Sequence, residues 1–197
     1  MLGLPKSTEL NKLLPKKAIY AKFQMNTAQQ ERFDGDISRI SIVGELSPAT
    51  TGIAAGNSVG SIFVLLVALK RPDFQPNTIA LISRLIDQNM LLVLEYEGRR
   101  KLAIYHTKLL QTEWTPADDC TATLRGLDLD AVWENLIVQV GGITIESGNT
   151  LDQQIAADEK RAKLEKEIAR LEKLARAEKQ PKKKFELVQQ INKLRNY

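Results

Sequence analysis

Three stretches of the chain hold residue types whose spacing could do chemistry. The first is "ELSPATTGIAAGNSVGS", residues 45–61, rich in Gly, Thr and Ser and followed at once by the apolar run "IFVLLVAL". A phosphate-cradling loop needs G-x-x-x-x-G-K-[ST] after a strand and opening into a helix. Here three residues separate Gly52 from Gly56, and Asn57 stands where the lysine would have to be. The element after Gly60 has the composition of a strand, so no helix N-terminus would face a phosphate. A dinucleotide-binding fingerprint fails for the same reason. The stretch reads as a connecting loop with a turn at Ser47-Pro48, or as the mouth of a small-molecule or partner site, since loops carry function.

The second stretch is "LEYEGRRK", which places Glu95 and Glu97 on a strand. Carboxylates at i and i+2 share a strand face and could bind a hard cation. A divergent metal-dependent nuclease using Glu95 and Glu97 is therefore the rival to a binding role. The Lys that restriction-type nucleases carry two residues after Glu is missing, and a charged hairpin edge that resists aggregation explains the same residues. His106, the only histidine, lies at the end of a strand pattern with no convergent partner for nucleophilic catalysis. Cys120, the only cysteine, excludes an intrachain disulfide and a thiolate metal cluster. No catalytic residue, resident metal or cofactor is assigned.

The third stretch is "EKQPKKKFEL". With Pro181 in the first turn of a helix, Lys182, Lys183 and Lys184 crowd a helix N-terminus, where cations oppose the macrodipole. Together with Lys179 they form a tip suited to an anionic partner such as DNA or RNA phosphate. No aromatics interleave these lysines for base stacking. Between Leu151 and Tyr197 there are 13 Lys and Arg against 8 Asp and Glu, while the rest of the chain holds 15 and 16. The basic excess therefore lives entirely in the C-terminal quarter, the pattern of an interaction appendage.

The elements that must position these residues follow from periodicity. Ser7-Thr8 predicts a short helix with Leu10, Leu13 and Leu14 on one face, and Pro15 restarts the chain into a helix carrying Ile19, Tyr20 and Phe23. Thr27 predicts the cap of a third helix through Phe33. From Ile37 the β-branched residues Ile40, Ile42 and Val43 favour a strand, and Ile62–Leu69 reads as a strand buried on both faces. Ile79, Ile82, Leu85 and Ile86 predict a helix capped by Asn77 or Thr78. Two β-rich runs split at Glu97-Gly98-Arg99 predict a hairpin. "CTATL" predicts a short strand, and "LDLDAVWENLIVQVGG" a helix stopped by Gly141-Gly142. The body, residues 1–145, is thus a mixed α/β (α+β) domain with one sheet of about five strands. Residues 146–150 form a linker. Residues 151–197 form a basic helical tail, either an intrachain hairpin or a coiled coil with a second chain, including a homodimer. Its seam is Leu164, Ile168, Leu171 and Ala175, resumed after Pro181 by Leu187, Ile191 and Leu194. The longest apolar run is too short for a membrane span. The N-terminal residues lack a secretory pattern. A cytoplasmic protein is expected.

"LGLPKSTELNKLLPKKAIYAKF", "FDGDISRISIVGELSPATTGI", "VGSIFVLLVALK" and "LIDQNMLLVLEYEGRRKLAIY" give the body a resemblance to the prokaryotic domain-of-unknown-function family 4391, over residues 2 to about 114. The resemblance implies a small prokaryotic protein. Members are often encoded beside helicases and DNA methyltransferases, in restriction- or antiviral-defence-like neighbourhoods. It carries no catalytic residues over, and the basic tail lies outside it. The expectation is a non-catalytic accessory or adaptor protein of a DNA-processing system. Its seam residues would bind a larger protein, a helicase or methyltransferase, and its lysine tip nucleic-acid phosphate.

Overall fold

The computed structural model describes residues 2–195. They form two compact units that divide between Ile143 and Thr144. The fold is mixed α+β, with a helical hairpin at the C-terminal end.

Among the described residues the first unit builds a seven-stranded sheet. Its strands are β1 (Glu9–Leu14), β2 (Ile37–Leu46), β3 (Ile62–Leu69), β4 (Asn89–Tyr96), β5 (Arg99–Tyr105), β6 (Leu109–Gln111) and β7 (Thr115–Pro116). They run in the order β1-β2-β3-β4-β5-β6, with β7 also pairing β5. β3 and β4 are parallel, and the other pairs are antiparallel. A parallel pair needs a crossover, which here contains α4 (Pro76–Ile82). The continuous apolar runs of β3 and β4 occupy the centre. On one face Leu65, Val67, Leu92, Leu94 and Ala103 pack with Ile19 of α1 (Lys16–Lys22), Phe33 of α2 (Thr27–Asp36) and Ile79 and Ile82 of α4. Strand alternation sends Leu91, Val93, Leu102 and Ile104 to the opposite face, where they too are buried. α5 (Leu129–Gly141) packs on β5 and β6 and ends at Gly142, in the left-handed region at φ 58°.

Several expectations are corrected. Residues 9–14 form edge strand β1, not a helix. Pro15 disfavours the α region at Leu14, and the backbone of β2 offers pairing partners from Ile40 to Gly44. Leu10 and Leu13 remain 41% and 58% exposed, so a leucine face there had no core to join. α2 is capped by Asn26 rather than Thr27, in a capping box with Gln29. α4 has no side-chain cap. Asn77 and Thr78 lie inside it, and Leu85 and Ile86 follow its end while still packing on the core. "CTATL" is not a strand: Ala122 donates its N–H to the Leu2 carbonyl, and Thr123 donates to the side-chain oxygen of Gln139 on α5. The sheet exceeds five strands because β1 has helical spacing and β6 and β7 are too short to show a period.

The second unit holds α6 (Leu151–Ala177) and α7 (Pro181–Arg195), packed on each other as a hairpin. Thr150 caps α6 in a capping box with Gln153. Among the described residues no helix is long and apolar enough to cross a membrane.

Candidate partner-binding surface

The hairpin owes its shape to the break at residues 178–180. The Glu178 N–H closes α6 on the Leu174 carbonyl (2.9 Å), and the Gln180 N–H is taken by the Glu178 carboxylate (2.8 Å). Pro181 then opens α7, where its missing N–H costs nothing. Leu171, Ala175 and Ile191 are buried between the helices, with Ile168, Leu187 and Leu194 packed against them. Six of the seven seam residues named from the sequence thus come together. Leu164 is half-buried and stands apart from that cluster, because α7, 15 residues long, covers only the part of 27-residue α6 nearest the break. Glu172 of α6 accepts from Arg195 of α7 at 2.6 Å, an ion pair that ties the two helices.

The lysine tip is exposed throughout: Lys179, Lys182, Lys183 and Lys184 all face solvent. None of the four is ion-paired among the described residues, and the first turn of α7 holds no acidic residue. Sequence reasoning missed what lies beside them. Phe185 is 62% exposed and Val188, one turn on, 40% exposed, while Leu174 of α6 is 46% exposed. An aromatic does therefore adjoin the lysines. The signal was in "KKKF" and was lost because Phe185 falls just outside the lysine run.

The other candidate residues are engaged in structure. Glu95 lies on β4, where Arg100 of β5 donates Nε at 2.7 Å and Nη2 at 2.6 Å to the same carboxylate oxygen. Glu97 is not on the strand. It occupies the hairpin turn at φ 46°, followed by Gly98 at φ 74°, a left-handed pair that matches the twist of the strands. The two carboxylates therefore do not share a strand face. No group of three or more His, Cys, Asp and Glu able to hold a metal ion occurs among the described residues. His106 sits half-buried between β5 and β6, its N–H on the Lys108 carbonyl. Cys120 is buried, and burial pushes its thiol up, away from the reactive thiolate.

The Gly-rich stretch does bind an anion, but its own. Pro48–Thr51 forms a single helical turn, α3, ending at Gly52 with φ 71°. Beyond it the N–H groups of Asn57 and Val59 donate to the Asp130 carboxylate at 2.7 and 2.8 Å, and Ser58 donates at 3.2 Å. Burial works to raise the Asp130 pKa, and the three donors outweigh it and hold the carboxyl below its ordinary value. Gly56 is required, because a Cβ there would lie 2.2 Å from an Asp130 oxygen.

Two more charged groups were invisible in the sequence. Asp36, fully buried, accepts from Arg71 Nε (2.7 Å), the Gln75 N–H (3.0 Å) and Thr78 Oγ1 (3.0 Å), fixing the segment that enters α4. Lys101 of β5, 8% exposed, has its ammonium 4.7 Å from the Phe74 ring centroid and 4.8 Å from that of Trp114. Burial pushes its pKa down, and the charge of Glu113 partly offsets this.

A family model for a domain of unknown function, DUF4391, matches residues 2–197. The chain belongs to that family. The match spans both units, so the resemblance drawn from residues 2 to about 114 was too short: the basic tail is part of what the family shares. No curated protein and no solved structure matches the chain.

Proposed function

We propose that the protein is a non-catalytic accessory or adaptor protein whose C-terminal hairpin docks on a larger protein of a DNA-processing system, a helicase or methyltransferase. The lysine tip would add contacts to nucleic-acid phosphate. One observation carries this reading: the hairpin exposes Leu174, Phe185 and Val188 beside four cations that have no ion-pair partner among the described residues. Apolar side chains next to unneutralised charge suit a surface that a partner covers. In the body the carboxylates Asp36, Glu95 and Asp130 are held internally. The helicase or methyltransferase as partner rests on the family resemblance, and the cytoplasmic setting on the short apolar runs and the N-terminal residues.

The test is a pull-down from the native host after nuclease treatment, with the full chain and its Leu171→Asp variant. An aspartate at this buried seam position leaves an unpaired charge between the helices and opens the hairpin. Both tryptophans, Trp114 and Trp133, lie in the body, so their fluorescence reports whether the body stays folded. The expected result is capture of a DNA-processing enzyme by the natural chain and its loss in the variant with fluorescence unchanged. Equal capture by both would refute docking through the hairpin.

A further inference from the structure

We infer that the groove between α6 and α7 receives an acidic amphipathic helix, a segment with one leucine-like face bordered by Asp or Glu. The inference rests on the hairpin being the docking element and names what the hairpin accepts. The groove is open, about 280 Å³, and lies on the face that carries Val188. Its floor is aliphatic, made of Ala175, Val188 and Ile191. Arg176 borders it from α6, and Lys184 and Arg195 border it from α7.

One carboxylate lies among these cations. Glu172 holds Arg195 at 2.6 Å and approaches Arg176 at 3.9 Å. Among the described residues two guanidiniums thus share one internal anion, and Lys184 has none. The groove keeps an unneutralised positive border around an apolar floor, and a complementary occupant must be apolar in the middle and acidic at its edges. A helix fits because anchors at i, i+3 or i+4, and i+7 form one stripe with charges to either side. The geometry argues against a second copy of the chain. Two such grooves meeting face to face would bring Lys184, Arg176 and Arg195 against their own kind. A nucleic-acid strand fits less well, because the floor is aliphatic and Phe185 alone could stack a base.

The probes are two designed 18-residue peptides with the same leucine stripe, one bordered by glutamates and the other by lysines. Binding to the full chain is followed by fluorescence anisotropy at physiological salt. The glutamate peptide is expected to bind at least about tenfold more tightly than the lysine peptide. Val188→Glu, at an exposed position the hairpin does not need for its core, should abolish that binding. Lys184→Glu should reduce it severalfold and raise binding of the lysine peptide. Equal binding of the two peptides, or unchanged binding by Val188→Glu, would overturn the inference. So would a single-stranded oligonucleotide that binds more tightly than the glutamate peptide and displaces it from the groove. If Leu171→Asp loses its cellular partner while the peptides show no preference, only this inference fails. If Leu171→Asp still captures the partner, docking through the hairpin fails, whatever the peptides do.

Discussion

Residues 56–59 and residues 179–184 both gather donors suited to an anion, and the body and the tail treat them differently. In the body, three successive N–H groups converge on Asp130, an anion delivered from α5, 71 residues away at its nearest donor. In the tail, four lysines at the start of α7 meet no counter-charge among the described residues. The same contrast holds elsewhere. Asp34 accepts from Lys16 and Tyr20 at 2.6 Å each, and Asp36 is saturated by Arg71, Gln75 and Thr78. Polar groups in the body are spent on its own architecture, because a charge taken from water must find a partner. The lysines at the tip of the tail stay solvated and available. An anion-friendly composition thus marks a site only where the fold has not already filled it.

The largest expected effect would sharpen the body side of this contrast. Asp36→Ala leaves the side chain of Thr78 and the N–H of Gln75 without their acceptor and Arg71 without its counter-charge. Losing one partner of a buried pair costs about 3–5 kcal/mol. Because Arg71 is half exposed, the lower end is expected, as a fall in the urea midpoint. No change in that midpoint would mean that Asp36 is not structural.

The next effect is a pH dependence confined to the body. The Tyr20 hydroxyl is pushed up to about 12 by burial, by its hydrogen bond to Asp34 and by that group's charge. Its folded pKa lies above the unfolded value, so its contribution is whole below pH 10 and is lost as pH rises through about 12. The Asp34 carboxyl, lowered chiefly by hydrogen bonds from Lys16 and then Tyr20, acts in the opposite direction. Its contribution is present above pH 3.8 and is lost as pH falls through the depressed folded value. Urea unfolding across pH should show both flanks, and Tyr20→Phe should flatten the alkaline one. An alkaline flank unchanged in that variant would assign it to another group.

The smallest effect has the opposite sign. Replacing Lys182, Lys183 and Lys184 together by Gln removes cations that oppose the dipole of α7. The helix should gain at most about 0.3–1 kcal/mol per residue, and far less where the lysines are fully solvated. Circular dichroism melting of the full chain should show equal or slightly higher stability. A clear loss would place the lysines among structural groups and erase the contrast with Asp130.

Much of the fold was legible because periodicity records burial. The runs 62–69 and 90–94 are apolar without interruption, and they are the strands covered on both faces. Glu97-Gly98 marked a hairpin, and Gly141-Gly142 marked the end of α5, since both demand left-handed backbone. The seam Ile168, Leu171, Ala175, Leu187, Ile191 and Leu194 was legible because one proline separates two helical stripes. Residues 9–14 were misread because their leucines have helical spacing, and only pairing with the edge of β2 makes the segment a strand. The placement of Glu97 was missed for a local reason: a strand ends where its turn needs positive φ, which alternation alone does not show.

The sequence by itself determined which segments are apolar, where the backbone must turn, and that the positive charge gathers in the last quarter. These are local properties, carried by neighbours in the chain. The tertiary structure alone decided which charges remain free. Asp130 fills the loop at Asn57, Arg71 answers Asp36, and Lys101 lies between Phe74 and Trp114. Each of these pairings joins residues that only folding brings together, so no spacing rule could anticipate them. The freedom of Lys179 and Lys182–Lys184 follows from the same physics: the nearest carboxylate in sequence, Glu178, is taken by the Gln180 N–H, and none of the four lysines has an ion pair among the described residues.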